Sequence, residues 1–123
     1  RDALVGVALF LTLLAKSGKK VTELKAGYPQ YAIAKNKIQL TPEIDVDKIL
    51  RAVKDRYMSD PAYEAGNLAI TDIDGVKIDF PDSWVHLRKS NTEPIIRIYS
   101  EAHTMAEAES LAEDMKSVIA ALA

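Results

Sequence analysis

Apolar positions recur along this chain in three rhythms, and each rhythm predicts a different element. From Ala3 to Ala15 nearly every residue is apolar, and a helix written that way is apolar around its whole circumference and needs cover on every side. It should end near Lys16 and Ser17, with Gly18 as the left-handed residue past its end and the lysines suiting the negative pole of the helix. Lys19 to Thr22 reads as a linker, and Thr22 as the cap of a short turn over Glu23, Leu24 and Lys25 that Gly27 and Pro29 close. From Tyr31 to Leu40 the pattern alternates, with Ala32, Ala34, Asn36 and Ile38 on one parity and Tyr31, Ile33, Lys35 and Lys37 on the other. That alternation predicts a strand.

Thr41-Pro42 should break this strand, and Asp45 should cap a helix whose apolar positions Val46, Ile49, Leu50, Val53 and Tyr57 follow the helical period. Pro61 and Gly66 punctuate the next stretch. Beyond it, Leu68 to Thr71 and Val76 to Phe80 flank Asp72-Ile73-Asp74-Gly75 as a hairpin, and Trp84 to Leu87 and Ile95 to Tyr99 form a second one. Thr104 and Glu107 make a capping box that opens a long helix with Ala108, Leu111, Ala112, Met115, Val118, Ile119 and Leu122 on its buried stripe. The order is strand, helix, four strands, helix, preceded by the apolar helix. It predicts an α+β fold, with two helices packed on an antiparallel sheet.

With 123 residues, 48% hydrophobic and 28% charged, the chain suits one domain of modest core plus an appendage. The first helix starts at Arg1-Asp2 without an initiator Met, and too little chain follows to wrap it. The expectation is that it belongs to the neighbouring domain of a longer protein, so that residues 1–20 are a last helix and linker and residues 21–123 a C-terminal domain. The thirteen residues from Ala3 to Ala15 fall short of the roughly 20 that cross a bilayer. Lys16, Lys19 and Lys20 stand where a signal peptide would have its cleavage site. No membrane partner and a cytoplasmic location are therefore expected. Cysteine is absent, which rules out disulfides and thiolate metal sites. The net charge of −2 argues against a nucleic-acid partner, although residues 1–40 carry seven basic and two acidic side chains and the rest nine and sixteen. On that balance the sheet is expected to lack a basic, aromatic-studded face.

The chemistry concentrates in Arg88-Lys89-Ser90-Asn91-Thr92-Glu93-Pro94. A guanidinium can grip two oxygens of a phosphate at once, and two hydroxyls, a carboxamide and the backbone N–H groups of a loop between strands can fill its remaining lone pairs. The bland alternative is a solvated hairpin turn. His86 shares a face with Trp84 and Arg88 and reads as a hydrogen-bonded structural histidine; His103 sits beside a helix cap and has no partner pattern. The pairs Asp72 and Asp74, and Asp79 and Asp82, superficially suggest a metal loop but lack the ligand count of one, and turn chemistry accounts for them.

The wording of the segment goes further than its composition. Arg88 to Pro94 followed by Ile95-Ile96-Arg97-Ile98-Tyr99-Ser100-Glu101-Ala102 resembles the C-terminal phosphate-binding loop of the α-D-phosphohexomutases, the phosphomannomutases, phosphoglucomutases and phosphoglucosamine mutases. The resemblance runs over Val21 to Ala123, which look like that family's fourth domain, while residues 1–20 look like the last helix of its third. It implies that Arg88, Ser90, Asn91 and Thr92 bind the substrate phosphate, that Glu93 braces the loop, and that Arg97 either approaches the phosphate or pairs with Glu101. Lys89 falls at the family's variable position and is expected to point to solvent. No residue of this chain is expected to be a chemical catalyst.

The parent enzyme so implied interconverts hexose 1-phosphate and hexose 6-phosphate through a bisphosphorylated intermediate. Its phosphoserine, its Mg²⁺ and the hexose bisphosphate activator would be held by upstream domains of the same polypeptide. This domain would be a lid that binds nothing beyond the substrate phosphate, or a phosphate or sulfate in its place. Asn91 stands where many phosphoglucosamine mutases have Gly, which favours the phosphomannomutase or phosphoglucomutase type over a phosphoglucosamine mutase. The alternative of another class is a stand-alone module that binds nucleic acid or protein, because the same order of elements occurs in TATA-binding-protein-like folds.

Overall fold

An apolar run that no charged residue interrupts before Lys16 folds as helix α1, Ala3–Ser17, in a computed structural model that describes residues 2–41 and 43–122. The Asp2 carboxylate accepts from the N–H groups of Leu4 and Val5 at 3.0 and 3.3 Å, and Gly18 ends the helix with φ 64°. Helix α2, Val21–Ala26, starts earlier than the sequence suggested. Thr22 lies inside it rather than capping it, because Glu23 reaches back to the Lys20 N–H at 2.6 Å and closes the first turn from within. These two helices belong to one compact unit, Arg1–Gln30, and the remainder, Tyr31–Ala123, forms a second. No residue of α1 is buried, and Leu4 is 79% exposed. Among the described residues of its own unit, the helix does not find the cover that an all-round apolar helix requires.

The second unit follows the alternation closely. It runs β1 Ala32–Gln39, α3 Val46–Met58, α4 Pro61–Glu64, β2 Ala69–Thr71, β3 Val76–Asp79, β4 Trp84–Lys89, β5 Ile95–Ala102 and α5 Met105–Leu122. Asp45 caps α3 by accepting from the N–H groups of Asp47 and Lys48 at 3.0 and 3.2 Å. At the start of α5 the Thr104 and Glu107 side chains each accept from the other's backbone N–H, at 3.2 and 3.1 Å. Helix α4 was read as punctuation. Asp60 and Pro61 are nevertheless an N-cap and first-turn proline, and the Asp60 carboxylate accepts from the Ala62 N–H at 2.8 Å. Pro42, expected to break β1, lies outside the described residues.

The five strands pair antiparallel in the order β1-β5-β4-β3-β2, so β4 is central and β5 lies between it and the first strand. Both long helices lie on one face of the sheet, α5 across β1 and β5 and α3 across β2, β3 and β4. Between them lies the core, in which Ile78, Val85, Leu87, Ile96 and Ile98 from the strands meet Val53 from α3 and Ala112, Met115 and Ile119 from α5. Each of these Val, Leu, Ile and Met side chains contributes roughly 1.5–3 kcal/mol on burial, and the Ala112 methyl less. Ser100 is the polar residue buried among them, and its hydroxyl donates to the Ala108 carbonyl at 2.6 Å. Ala34, Ala102 and Ala108 form a small-residue contact that lets the start of α5 approach the sheet.

Neither α3 nor α5 lies on the opposite face. Register aligns Lys37, Arg97 and Arg88 in one row across β1, β5 and β4, and Lys35, Tyr99, His86 and Lys77 in the next. The expectation that this sheet lacks a basic face with aromatics is corrected. Net charge was the wrong guide because many acids sit on the outer surfaces of the helices, away from the strands. The Trp84 ring is not an open stacking platform, however: its indole N–H donates to Glu101 at 3.1 Å and Lys77 Nζ lies 5.1 Å from the ring centroid.

Candidate phosphate-binding cleft

The cleft is built where β4 hands over to β5. Strand β4 runs to Lys89, two residues beyond the expected end, because Arg88 and Lys89 find Arg97 and Ile96 as partners on β5. Arg88 is therefore held on a strand rather than in the loop. Ser90 to Pro94 make the loop proper. It is closed by main-chain bonds, Ser90 N–H to Ile95 O at 3.1 Å, Ile95 N–H to Glu93 O at 2.8 Å and Leu40 N–H to Pro94 O at 2.9 Å. The Glu93 carboxylate makes no hydrogen bond or ion pair among the described residues, so the bracing expected of its side chain comes from the backbone instead.

Arg88, Lys89, Ser90, Asn91, Thr92, Arg97 and Tyr99 line a cavity of about 200 Å³. The Ser90 and Thr92 hydroxyl oxygens lie 3.4 Å apart, and the Thr92 N–H is 3.4 Å from the Ser90 oxygen. Bonds of that length are weak, and both hydroxyls keep donor capacity for a ligand. Among the described residues the amides of Asn91 and Glu93 donate to no protein acceptor. No non-glycine residue among those described has positive φ. Asn91 thus does not supply a left-handed backbone here.

Arg88 and Arg97 are directly opposed across β4 and β5. Like charges in that relation destabilise a sheet pair, and an anion between them removes the cost. Arg97 forms no ion pair among the described residues, and Glu101 is engaged by Trp84 instead. Arg88 Nε lies 3.2 Å from Asp74 Oδ2. Lys89 is exposed, as expected, and at the surface its ammonium donates to Asp47 Oδ2 at 2.9 Å, which ties the end of β4 to the first turn of α3. A tetrahedral dianion entering the cavity would meet two guanidinium groups, two hydroxyls, a carboxamide and unpaired amides, a donor set that matches its charge and its oxygens.

The remaining candidates have local partners. His86 Nε2 is 2.6 Å from the Asp74 carbonyl and donates to it. The His103 ring stacks on Tyr31 with centroids 4.8 Å apart, and its Nε2 is 3.8 Å from Asp82. Asp72 pairs with Lys54, Asp74 with Arg88 and Asp79 with Lys77. The Lys54 hydrogen bond holds the Asp72 carboxyl below the usual carboxylate range and raises the lysine in return. Among the described residues no three His, Cys, Asp or Glu side chains gather where they could hold a metal ion. Two residues of the cleft region escaped the sequence reading. Tyr99 was legible, since it shares strand parity with Arg97; Asp74 was not, since only the fold brings it to Arg88.

Residues 16–118 match the family model for the phosphoglucomutase/phosphomannomutase C-terminal domain. Among curated proteins, a phosphoglucosamine/phosphogalactosamine mutase of Sulfurisphaera tokodaii is 35% identical over 97% of this chain and 25% of its own length. A phosphoglucomutase/phosphomannomutase of Thermococcus kodakarensis is 38% identical over 92% of this chain and 23% of its own. The chain therefore spans about a quarter of these relatives. Among solved structures, a phosphoglucomutase/phosphomannomutase family protein of Burkholderia thailandensis superposes with TM-score 0.52 and 23% identity over 81% of this chain and 19% of its own, a likeness of fold. The match over residues 16–118 and the sheet of order β1-β5-β4-β3-β2 lead to one conclusion: the chain belongs to the phosphoglucomutase/phosphomannomutase family and contains its C-terminal domain.

Proposed function

We infer that this domain grips the phosphate of a hexose phosphate and closes as a lid over the active site of a phosphohexomutase that interconverts hexose 1-phosphate and hexose 6-phosphate. The observation that carries the reading is the cavity in which Arg88 and Arg97 face the Ser90–Thr92 donors. Two guanidinium charges balance a phosphate dianion, and Ser90, Asn91 and Thr92 supply neutral donors around it. No His, Asp or Glu is among the residues lining the cavity to act as a base on its hydroxyls. Its contribution is positioning: it holds the phosphate that is not being transferred, so that the other end of the sugar meets the reacting centre.

A phosphoserine and a Mg²⁺ site would lie in upstream domains. Mg²⁺ would supply charge stabilisation to the transferred phosphoryl group, and the described residues here offer it no donor set. Relatives named for glucosamine, galactosamine, glucose and mannose phosphates support the hexose phosphate class and both the phosphoglucosamine mutase and the phosphoglucomutase or phosphomannomutase assignments. The test is a titration of the chain with glucose 6-phosphate followed by amide chemical shifts. Shifts at Ser90 to Thr92 that free glucose does not cause are expected. Saturating ligand without any response in the loop would sink the reading.

A further inference from the structure

The β2–β3 turn meets β4, the strand that carries Arg88 into the cleft, at three points. The Asp74 carboxylate lies 3.2 Å from Arg88 Nε. The Asp74 carbonyl accepts from His86 Nε2 at 2.6 Å, one outward position back along the same strand. Gly75, at φ 77°, presses so closely on β4 that a Cβ built there would meet the Leu87 carbonyl oxygen at 2.0 Å and the Arg88 Cα at 3.2 Å. The turn is thus seated on the backbone that carries Arg88, with no room for a side chain between them.

Taking the guanidinium by Nε has a chemical consequence. Nε is the inner nitrogen of the fork, and a carboxylate paired on that side leaves the edge made by the two terminal nitrogens open, an edge that can grip two oxygens of one phosphate. A free arginine at a strand end samples many rotamers, and ordering it on binding costs affinity. Resting on the phosphate-binding role of Arg88 inferred above, we propose that Asp74 is a positioning residue, which orients the Arg88 guanidinium for a phosphate in the cleft before the phosphate arrives. His86 and Gly75 hold Asp74 in place for this task.

Charge alone makes the opposite prediction. Asp74 is a negative group beside an anion site, so neutralising it should strengthen phosphate binding if nothing but Coulomb attraction matters. Positioning requires the reverse sign, and the sign is what the experiment reads. Inorganic phosphate is titrated into the 123-residue chain and its variants, with amide and arginine Nε–H chemical shifts as the readout. Asp74→Asn should raise the phosphate Kd about two- to fivefold, the range for a half-exposed ion pair. In the Arg88→Ala background the same Asp74→Asn change should raise it no further, which a merely structural role of Asp74 would not produce. An unchanged or tighter Kd for Asp74→Asn, with Arg88→Ala itself weakened, overturns the positioning role and leaves the cleft standing. An Arg88→Ala chain that binds phosphate like the parent removes the grip, and the positioning role falls with it.

Discussion

The two faces of this sheet are written by the same strands and do different work. Along β5, Ile96, Ile98 and Ser100 turn inward and are fully buried under the helices, while Arg97, Tyr99 and Glu101 turn outward, and the first two of these line the cleft. The covered face is apolar, and its single buried hydroxyl is satisfied. The open face sets Arg88 against Arg97, an arrangement unfavourable for the sheet and suited to an anion. Alternation lets one strand supply core and site together, because neighbouring side chains never share an environment.

The sharpest way to break this comparison is to mutate neighbours in one strand. Ile98→Ala should cost about 2–5 kcal/mol of stability in urea unfolding of the chain, with transfer and cavity terms adding; a loss below about 1 kcal/mol would show that the covered face is not the core. On the open face, Arg88→Ala in an enzyme carrying this domain should lower kcat/KM by about ten- to 150-fold, equivalent to about 1.5–3 kcal/mol of transition-state stabilisation. Arg88→Lys should recover part of it, since a point charge lacks the fork. Near-parental kcat/KM for Arg88→Ala would falsify the assignment of the grip.

Smaller effects sharpen the contrast. Ser100→Ala should cost about 1–2 kcal/mol by removing the buried bond to the Ala108 carbonyl, and unaltered phosphate binding in the same variant would confine that residue to the core. Arg97→Ala should leave urea stability within about 0.5 kcal/mol of the parent while weakening phosphate binding about two- to tenfold. A variant that unfolds more easily but binds normally would reverse the roles given to the two faces.

Alkali should probe the covered side least strongly. Burial pushes the Tyr57 phenol above its ordinary 10.0, and its ring packs edge-on against Phe80 with centroids 6.3 Å apart. The folded state thus favours the neutral phenol. The stability this contributes is fully present below about pH 10 and is lost as pH rises through the higher folded value. Tyr57→Phe should flatten that part of the alkaline loss, and unfolding curves between pH 9 and pH 11 that coincide with the parent's would refute it.

The features legible in the residues alone were those that act over a few positions. Asp45 and the Thr104–Glu107 pair announce their helices because a cap satisfies amides two or three residues away. The alternation in Tyr31 to Leu40 announces β1 because a pleated strand repeats every second residue. Arg88 to Pro94 announced a phosphate-shaped donor set for the same reason, since its members are neighbours in the chain. What the tertiary structure decided depends on register between distant segments. Only pairing of β4 with β5 carries β4 through Lys89 and sets Arg88 against Arg97, and only the seating of the β2–β3 turn brings Asp74 to the guanidinium. Lys89, exposed as its position suggested, likewise found Asp47 on α3, 42 residues away. A composition count spreads charge evenly over a chain, whereas folding sends many acids to the helix surfaces and leaves Lys35, Lys37, Lys77, Arg88 and Arg97 to outnumber Asp79 and Glu101 on the open face. The basic character of that face is therefore a property of the sheet and not of the sequence's net charge.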